Sequence, residues 1–208
     1  MSDWDADGPR LAENLQRAQR LAVDHALARR PIRLTDIKAW HRIAMEGLRI
    51  DDAKRLGIDP RAMVGEFRGP PRLPDIEVRI GSHPGVPATE VDAACRKFIA
   101  TLRALTRALD RRFPADSPDD LDVDGLRAVA EAAAWAHAEW VRIHPFVNGN
   151  GRTARLLGNV ILVRFGLPPV FRLRPRPEGS YPVAASQAMT NGHRALADYV
   201  VAQLLQYR

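Results

Sequence analysis

His144-Pro145-Phe146-Val147-Asn148-Gly149-Asn150-Gly151-Arg152-Thr153-Ala154-Arg155 is the stretch on which the reading of this chain turns. Upstream of it, Leu126, Val129, Ala133, His137, Trp140 and Val141 recur on one helical face and deliver the chain to His144. Pro145 pushes His144 out of the helical region, because its ring crowds the preceding residue. Gly149-Asn150-Gly151 is turn chemistry, and a further helix begins near Gly151 and ends at Gly166, a natural left-handed cap before Leu167-Pro168-Pro169. N–H groups left free at the start of such a helix, together with its dipole, favour phosphate.

The side chains agree with the backbone. Arg152 and Arg155 are three residues apart and project from the same side of the first turn. Two guanidinium forks beside an anion nest suit a polyphosphate better than a single carboxylate. His144 stands next to that phosphate position with a ring able to take a proton near neutral pH. Asn148 offers an oxygen to a divalent metal bridging phosphates.

Working outward, the rest of the chain reads as mainly α. Leu11, Leu15, Ala18, Ala22 and Ala26 mark a helix over 11–29, with Pro31 beyond its end. Thr35 is the expected N-cap of a second helix carrying Ile37, Trp40, His41, Ala44 and Leu48. The Gly-, Pro- and Arg-rich segment 57–74 reads as loop. Ile76, Val78 and Ile80 alternate with Glu77 and Arg79, and Gly81-Ser82-His83-Pro84-Gly85 is a turn before Val86, so a short β-hairpin is expected. A long amphipathic helix follows over 89–109, then an exposed connection over 114–124. Beyond the motif helix, 168–182 reads as a Pro- and Arg-rich loop, and a last helix over 183–205 is interrupted near Asn191-Gly192.

Composition sets the bounds. A chain of 208 residues carries one core, so a single domain over 1–208 is expected, with residues 1–30 as an N-terminal helix and 31–208 as the core. The net charge of +6 comes mostly from arginines that are scattered, without a basic patch interleaved with aromatics, so no nucleic-acid interface is expected. Cys95 is the only cysteine, which excludes an intrachain disulfide and a cysteine zinc site. No apolar run approaches the ~20 residues of a membrane span, and the acidic start Met1–Asp5 lacks a signal-peptide core, so a cytoplasmic protein is expected. His41, His83 and His137 have no metal-ligand spacing, and His137, Trp40, Trp135 and Trp140 suit packing.

The motif resembles the signature of the Fic family (Fido fold), written HPFx(D/E)GNGRxxR. Looser similarity runs over roughly 35–205: Gly65-Glu66-Phe67-Arg68 is similar to the family's GxyR element, and the predicted hairpin sits where the family has its flap. The resemblance implies a Fic-type helical domain that moves AMP from ATP onto a hydroxyl of a target protein and releases pyrophosphate. It implies His144 as general base, Phe146 as the loop's anchor, Asn148 at the metal position and Gly149, Asn150 and Gly151 as the anion hole. Arg152 would hold the phosphates and stabilise developing charge, Arg155 would bind the γ-phosphate, and ATP and Mg2+ would be the small-molecule partners. The flap, Glu77, Val78, Arg79, Ile80 and Gly81, would pair with an extended segment of the protein substrate, and Tyr181 and Asn191 lie where the family builds its adenine pocket. A separate antitoxin is a further partner of the kind the resemblance allows.

Two positions depart from the pattern. Asn148 replaces the acid, which removes a negative charge, lowers the expected affinity for magnesium and leaves open a different nucleotide or phosphate donor, or a module that binds nucleotide without catalysis. Glu13-Asn14 matches the end of the family's inhibitory pattern (S/T)xxxE(G/N), but Pro9 stands where Ser or Thr belongs. Glu13 is therefore either an inhibitor competing with the γ-phosphate for Arg155 or an ordinary exposed helix residue.

Overall fold

The computed structural model describes residues 8–114 and 121–207, at positions 51 and 52 for the backbone alone. The acidic start and most of the expected 114–124 connection lie outside the described residues. Among these residues the order is α1 (Gly8–Leu27), α2 (Leu34–Met45), α3 (Asp51–Leu56), α4 (Pro60–Met63), β1 (Arg79–Ile80), β2 (His83–Pro84), α5 (Val91–Arg112), α6 (Val123–Ile143), α7 (Asn150–Arg164), α8 (Tyr181–Ala188) and α9 (Arg194–Leu204). The chain is mainly helical with one small antiparallel hairpin, as its sequence indicates.

α7 is the central element. From Thr153 to Arg164 every side chain is buried, which explains why its sequence lacks a clean amphipathic stripe: a helix surrounded on all sides has no solvent face. It packs on α1, α2 and α6, while α6 also carries α5, α8 and α9. Small residues make the α6 contact close, since Ala130, Ala133, Ala134, Ala136 and Ala138 are all buried. Polar residues on α7 then fix the irregular segments around it. Asn159 donates to Phe171 O at 2.8 Å and accepts the Phe171 N–H at 2.9 Å, so its amide acts as a strand partner for a segment with no strand. Arg164 forks onto Asp110 at 2.7 and 2.9 Å and donates to Arg30 O, joining the C-terminal ends of α1, α5 and α7.

Several boundaries differ from the sequence-based expectation, each for a local reason. The N-cap of α2 is Arg33 and not Thr35, because the Asp36 carboxylate reaches back to the Arg33 N–H at 2.8 Å and lets the helix begin at Leu34. A turn of helix, α4, stands inside the segment expected as loop; Pro60 starts it and the Asp59 side chain accepts the Arg61 N–H at 2.8 Å. The hairpin is tighter than the alternation predicts. Arg79 pairs with Pro84 and Ile80 with His83, so His83-Pro84, expected in the turn, form the second strand. In this register the ladder partner of Ile76 would be Pro87, which has no N–H, so the ladder stops there and the Ile76 and Val86 carbonyls accept from Arg68. The expected break near Gly192 is present, with Gly192 at φ 87° between α8 and α9.

Burial lowers the proton affinity of four histidines, His25 among them. His41 and His144 are pushed down to about 4 and His137 to about 3, in each case mainly because burial penalises the cation. Unfolded, each titrates near 6.5. Between pH 6.5 and about 4 the unfolded chain therefore binds protons that the fold refuses, and stability falls as pH falls through that window. We expect the urea midpoint to drop between pH 7 and 4.5, as the unfolding free energy falls by about 1.4 kcal/mol per pH unit for each such histidine once it is fully in its window. An unchanged midpoint from pH 7 to 5 would show that these rings are not desolvated. A second expectation concerns packing. A Cβ on Gly158 would lie 2.5 Å from the Phe171 ring, so Gly158→Ala, which stabilises most helices, should instead cost about 1–3 kcal/mol by overpacking, read as a lowered melting temperature.

Candidate nucleotide and catalytic site

The site begins where α6 stops. His144 takes a left-handed conformation, φ 53°, immediately before Pro145, and its N–H still bonds to Trp140 O at 3.0 Å. A non-glycine residue held there is uncommon and needs support from its surroundings. Arg68 supplies it. Its side chain is buried and donates to Ile143 O at 3.1 Å and His144 O at 2.8 Å, the orphan carbonyls at the end of α6, while its own N–H donates to Pro145 O at 2.8 Å. The His144 ring lies 3.1 Å from Val141 O through Nδ1, a contact that places the proton on Nδ1 and leaves the Nε2 lone pair unoccupied. A ring held neutral with a free Nε2 is equipped to accept a proton.

The loop that follows is cinched by Asn150. Its side chain accepts the Phe146 N–H at 2.9 Å and donates to Phe146 O at 2.7 Å, closing the loop on itself, and Phe146 is buried against Phe67 and Trp140. Gly149 has φ 78°, and a Cβ there would meet Met45 and His41 at 2.9 and 3.0 Å, so a side chain would be both strained and crowded. α7 then opens with no side-chain cap, and its first intrahelical bond is from Thr153 N to Gly149 O at 3.0 Å. The N–H groups of Asn150, Gly151 and Arg152 therefore have no partner within the helix, the arrangement from which anion sites at helix starts are built.

The two arginines are placed differently. Arg152 is half-buried and lies 3.1 Å from Met45 Sδ through Nη1. Arg155 is buried; Nη2 donates to Leu173 O at 3.1 Å, Nη1 faces the Tyr181 hydroxyl at 3.5 Å, and Nε has no hydrogen-bond partner. Tyr181 is itself buried and 2.8 Å from His137 Nε2, while Asn191 is exposed at the α8–α9 break. Glu13 is exposed on α1, whereas its neighbour Asn14 is buried and donates to Glu46 O at 2.8 Å beyond the end of α2. In the flap, Glu77, Arg79 and Gly81 are exposed, and the Glu77 carboxylate accepts the Ala88 N–H at 3.0 Å. A cavity of about 640 Å3 lies between α1 and residues 169–175, but none of the motif residues lines it.

Asn148 fits a cation poorly. Its side-chain oxygen accepts the N–H of Gly149, and a neutral amide offers less to magnesium than the one or two carboxylates such sites use. Among the described residues no group of three or more His, Cys, Asp or Glu is placed to hold a metal. Arg68 and His41 are the residues whose importance the sequence under-reports. Arg68 was legible only as part of a four-residue resemblance, and His41 only as a member of an amphipathic face.

Comparison with known proteins agrees with this fold. A Fic domain containing signaling protein from Bacteroides thetaiotaomicron superposes with TM-score 0.67 at 19% identity, covering 95% of this chain and 69% of that one. Fic-1 (residues 134–508) from C. elegans superposes with TM-score 0.59 at 25% identity, covering 95% of this chain and 49% of that one. BepC from Bartonella tribocorum, solved with bound AMPPNP, gives 0.51 at 15% identity over 90% of this chain and 84% of that one. Among curated proteins, the protein adenylyltransferase fic-1 of Caenorhabditis briggsae is 52% identical over 58 residues, 27% of this chain and 11% of the relative. The protein adenylyltransferase Fic of Nematostella vectensis is 65% identical over 40 residues, 19% of this chain and 9% of the relative, so the matched stretch is about a tenth of these curated relatives. Among the described residues no helix is long and apolar enough to cross a membrane. The family model described as Fic/DOC matches residues 31–162, well over half of the chain, and the chain belongs to that family.

Proposed function

We propose that the protein transfers AMP from ATP to a hydroxyl side chain of another protein. The observation that carries this reading is a neutral histidine with a free Nε2 at the foot of an uncapped, arginine-flanked helix N-terminus. His144 Nε2 takes the proton of the target hydroxyl; the oxygen attacks the α-phosphorus; the bond to the bridging oxygen breaks and pyrophosphate leaves. The α7 amides and Arg152 stabilise the charge that develops on the phosphate oxygens. Arg155 meets the γ-phosphate through its unpartnered Nε, exchanging the Leu173 carbonyl for a phosphate oxygen. A magnesium ion brought in with the nucleotide would meet the Asn148 amide at the motif's metal position and would neutralise phosphate charge, and no step above runs through it.

The target docks on the flap. A two-stranded hairpin leaves both outer edges open to an added strand, and Val78 and Ile80 are only half-buried there. A cytoplasmic setting, where ATP is abundant, belongs to this reading, as does an antitoxin partner if the activity is harmful to its host.

The decisive experiment incubates the protein with ATP labelled at the α-phosphate and a cell lysate. Label should enter protein, and His144→Ala should reduce the rate by at least about 100-fold, the usual scale for general-base catalysis. Label arriving only from the γ-phosphate would overturn AMP transfer in favour of phosphoryl transfer, the alternative that the neutral Asn148 favours. Asn148→Asp restores a charge at the metal position, and we expect it to raise transfer most at limiting magnesium. An equal effect at all magnesium concentrations would remove Asn148 from any metal role.

A further inference from the structure

We infer that His41, on α2 and remote in sequence from the motif, is a positioning residue that holds the anion-binding loop in its working shape. The inference rests on the site reading above but concerns a residue outside the motif. Three contacts carry it. The Gly65 N–H donates to His41 Nδ1 at 2.9 Å. His41 Nε2 lies 2.9 Å from the Asn148 carbonyl. The imidazole also stacks face to face on Phe146, with centroids 3.6 Å apart and planes 9° from parallel.

The hydrogen bonds determine the tautomer. Nδ1 faces a donor, so it must be the acceptor; Nε2 therefore carries the proton and donates to Asn148 O. One ring thus spans the Gly65–Arg68 element and the catalytic loop and accounts for a donor on one side and an acceptor on the other. The Asn148 carbonyl precedes Gly149, whose left-handed φ turns the chain into α7. Fixing that carbonyl fixes the Asn148–Gly149 peptide plane, the one that leads directly into the first amides of α7. The close approach is also steric: a Cβ on Gly149 would lie 3.0 Å from His41 Nε2, so the loop and the ring are already in contact.

Two substitutions separate the halves of this role. In His41→Gln the side-chain amide nitrogen reaches the Nε2 position and can donate to Asn148 O, but nothing accepts from Gly65. In His41→Asn the oxygen sits near the Nδ1 position and accepts from Gly65, but nothing donates to the loop. The proposal expects Asn to raise hydrogen–deuterium exchange over residues 146–152 by at least about 5-fold, the scale of one unmade hydrogen bond, while Gln stays near wild type. In the transfer assay, Asn should lower kcat more than it raises KM for ATP, and Gln should recover most of kcat. Equal exchange in the two variants, or Asn closer to wild type than Gln, overturns the proposal. The exchange measurement needs no turnover, so it remains decisive if AMP transfer itself is disproved. Should both variants fold poorly, histidine-labelled wild-type protein examined by NMR decides the matter. A slowly exchanging Nε2–H coupled to the Asn148 carbonyl carbon supports the proposal, and an Nδ1–H tautomer overturns it.

Discussion

Arg68 is the interaction on which the arrangement depends. A buried guanidinium is costly unless its donors are satisfied, and here they are satisfied by carbonyls that would otherwise be orphans: Ile143 and His144 at the end of α6, and Ile76 and Val86 at the two stems of the flap. The cation sits at the negative end of the α6 dipole, which favours it further. Burial lowers its proton affinity and the Glu77 carboxylate raises it, but a guanidinium stays charged throughout. Because one side chain holds both His144 and the roots of the hairpin, the base and the surface proposed to receive the target are referenced to the same atom group. A lysine could not do this: it has one point of attachment where four carbonyls must be met from a plane.

The catalytic loop has a second layer of restraint that works through neutral groups. Asn150 closes the loop on Phe146, Phe146 fills the core between His41 and Phe67, and His41 returns to the loop through Asn148 O. No member of this ring carries a formal charge. That matters because these neutral members add no charge of their own beside the head of α7, whose dipole favours an anion. The same segregation explains the burial of His41, whose neutrality is favoured by desolvation and by Arg152 and Arg42 nearby.

Much of this was legible in the sequence, and the reason is physical. The motif packs turn, cap, anion nest and base into twelve consecutive residues, so local chemistry alone defines it. Helix-forming segments were readable from periodicity where one face meets solvent, as in α1 and α5, and the αL stop at Gly166 from the glycine itself. What could not be read was set by distant partners. The hairpin is cut short because Pro87 has no N–H to offer Ile76, and that carbonyl turns to Arg68, eight residues before it in sequence. The start of α2 moves because Asp36 bonds to Arg33. His41 looks like any polar residue on an amphipathic helix, and only its placement over Phe146 shows otherwise, since its two loop partners lie 24 and 107 residues away.

The proton affinity of His144 follows from the same charge layout. Burial holds the ring near 4, with Arg68 opposing protonation and the Val141 carbonyl favouring it. A base that weak is poorly matched to a hydroxyl at neutral pH. Asn148 contributes no charge, so the chain has no carboxylate at the motif's acidic position to stabilise an imidazolium. A bound triphosphate changes this balance: it brings several negative charges to the amides and arginines beside the ring, and in a low-dielectric site such charges raise a neighbouring histidine's affinity for a proton. On the function proposed above, His144 would gain proton affinity when the donor binds. On this reading substitution of the motif acid by Asn148 makes proton abstraction depend more heavily on the nucleotide's presence, and links the chemical step to occupancy of the nest at the head of α7.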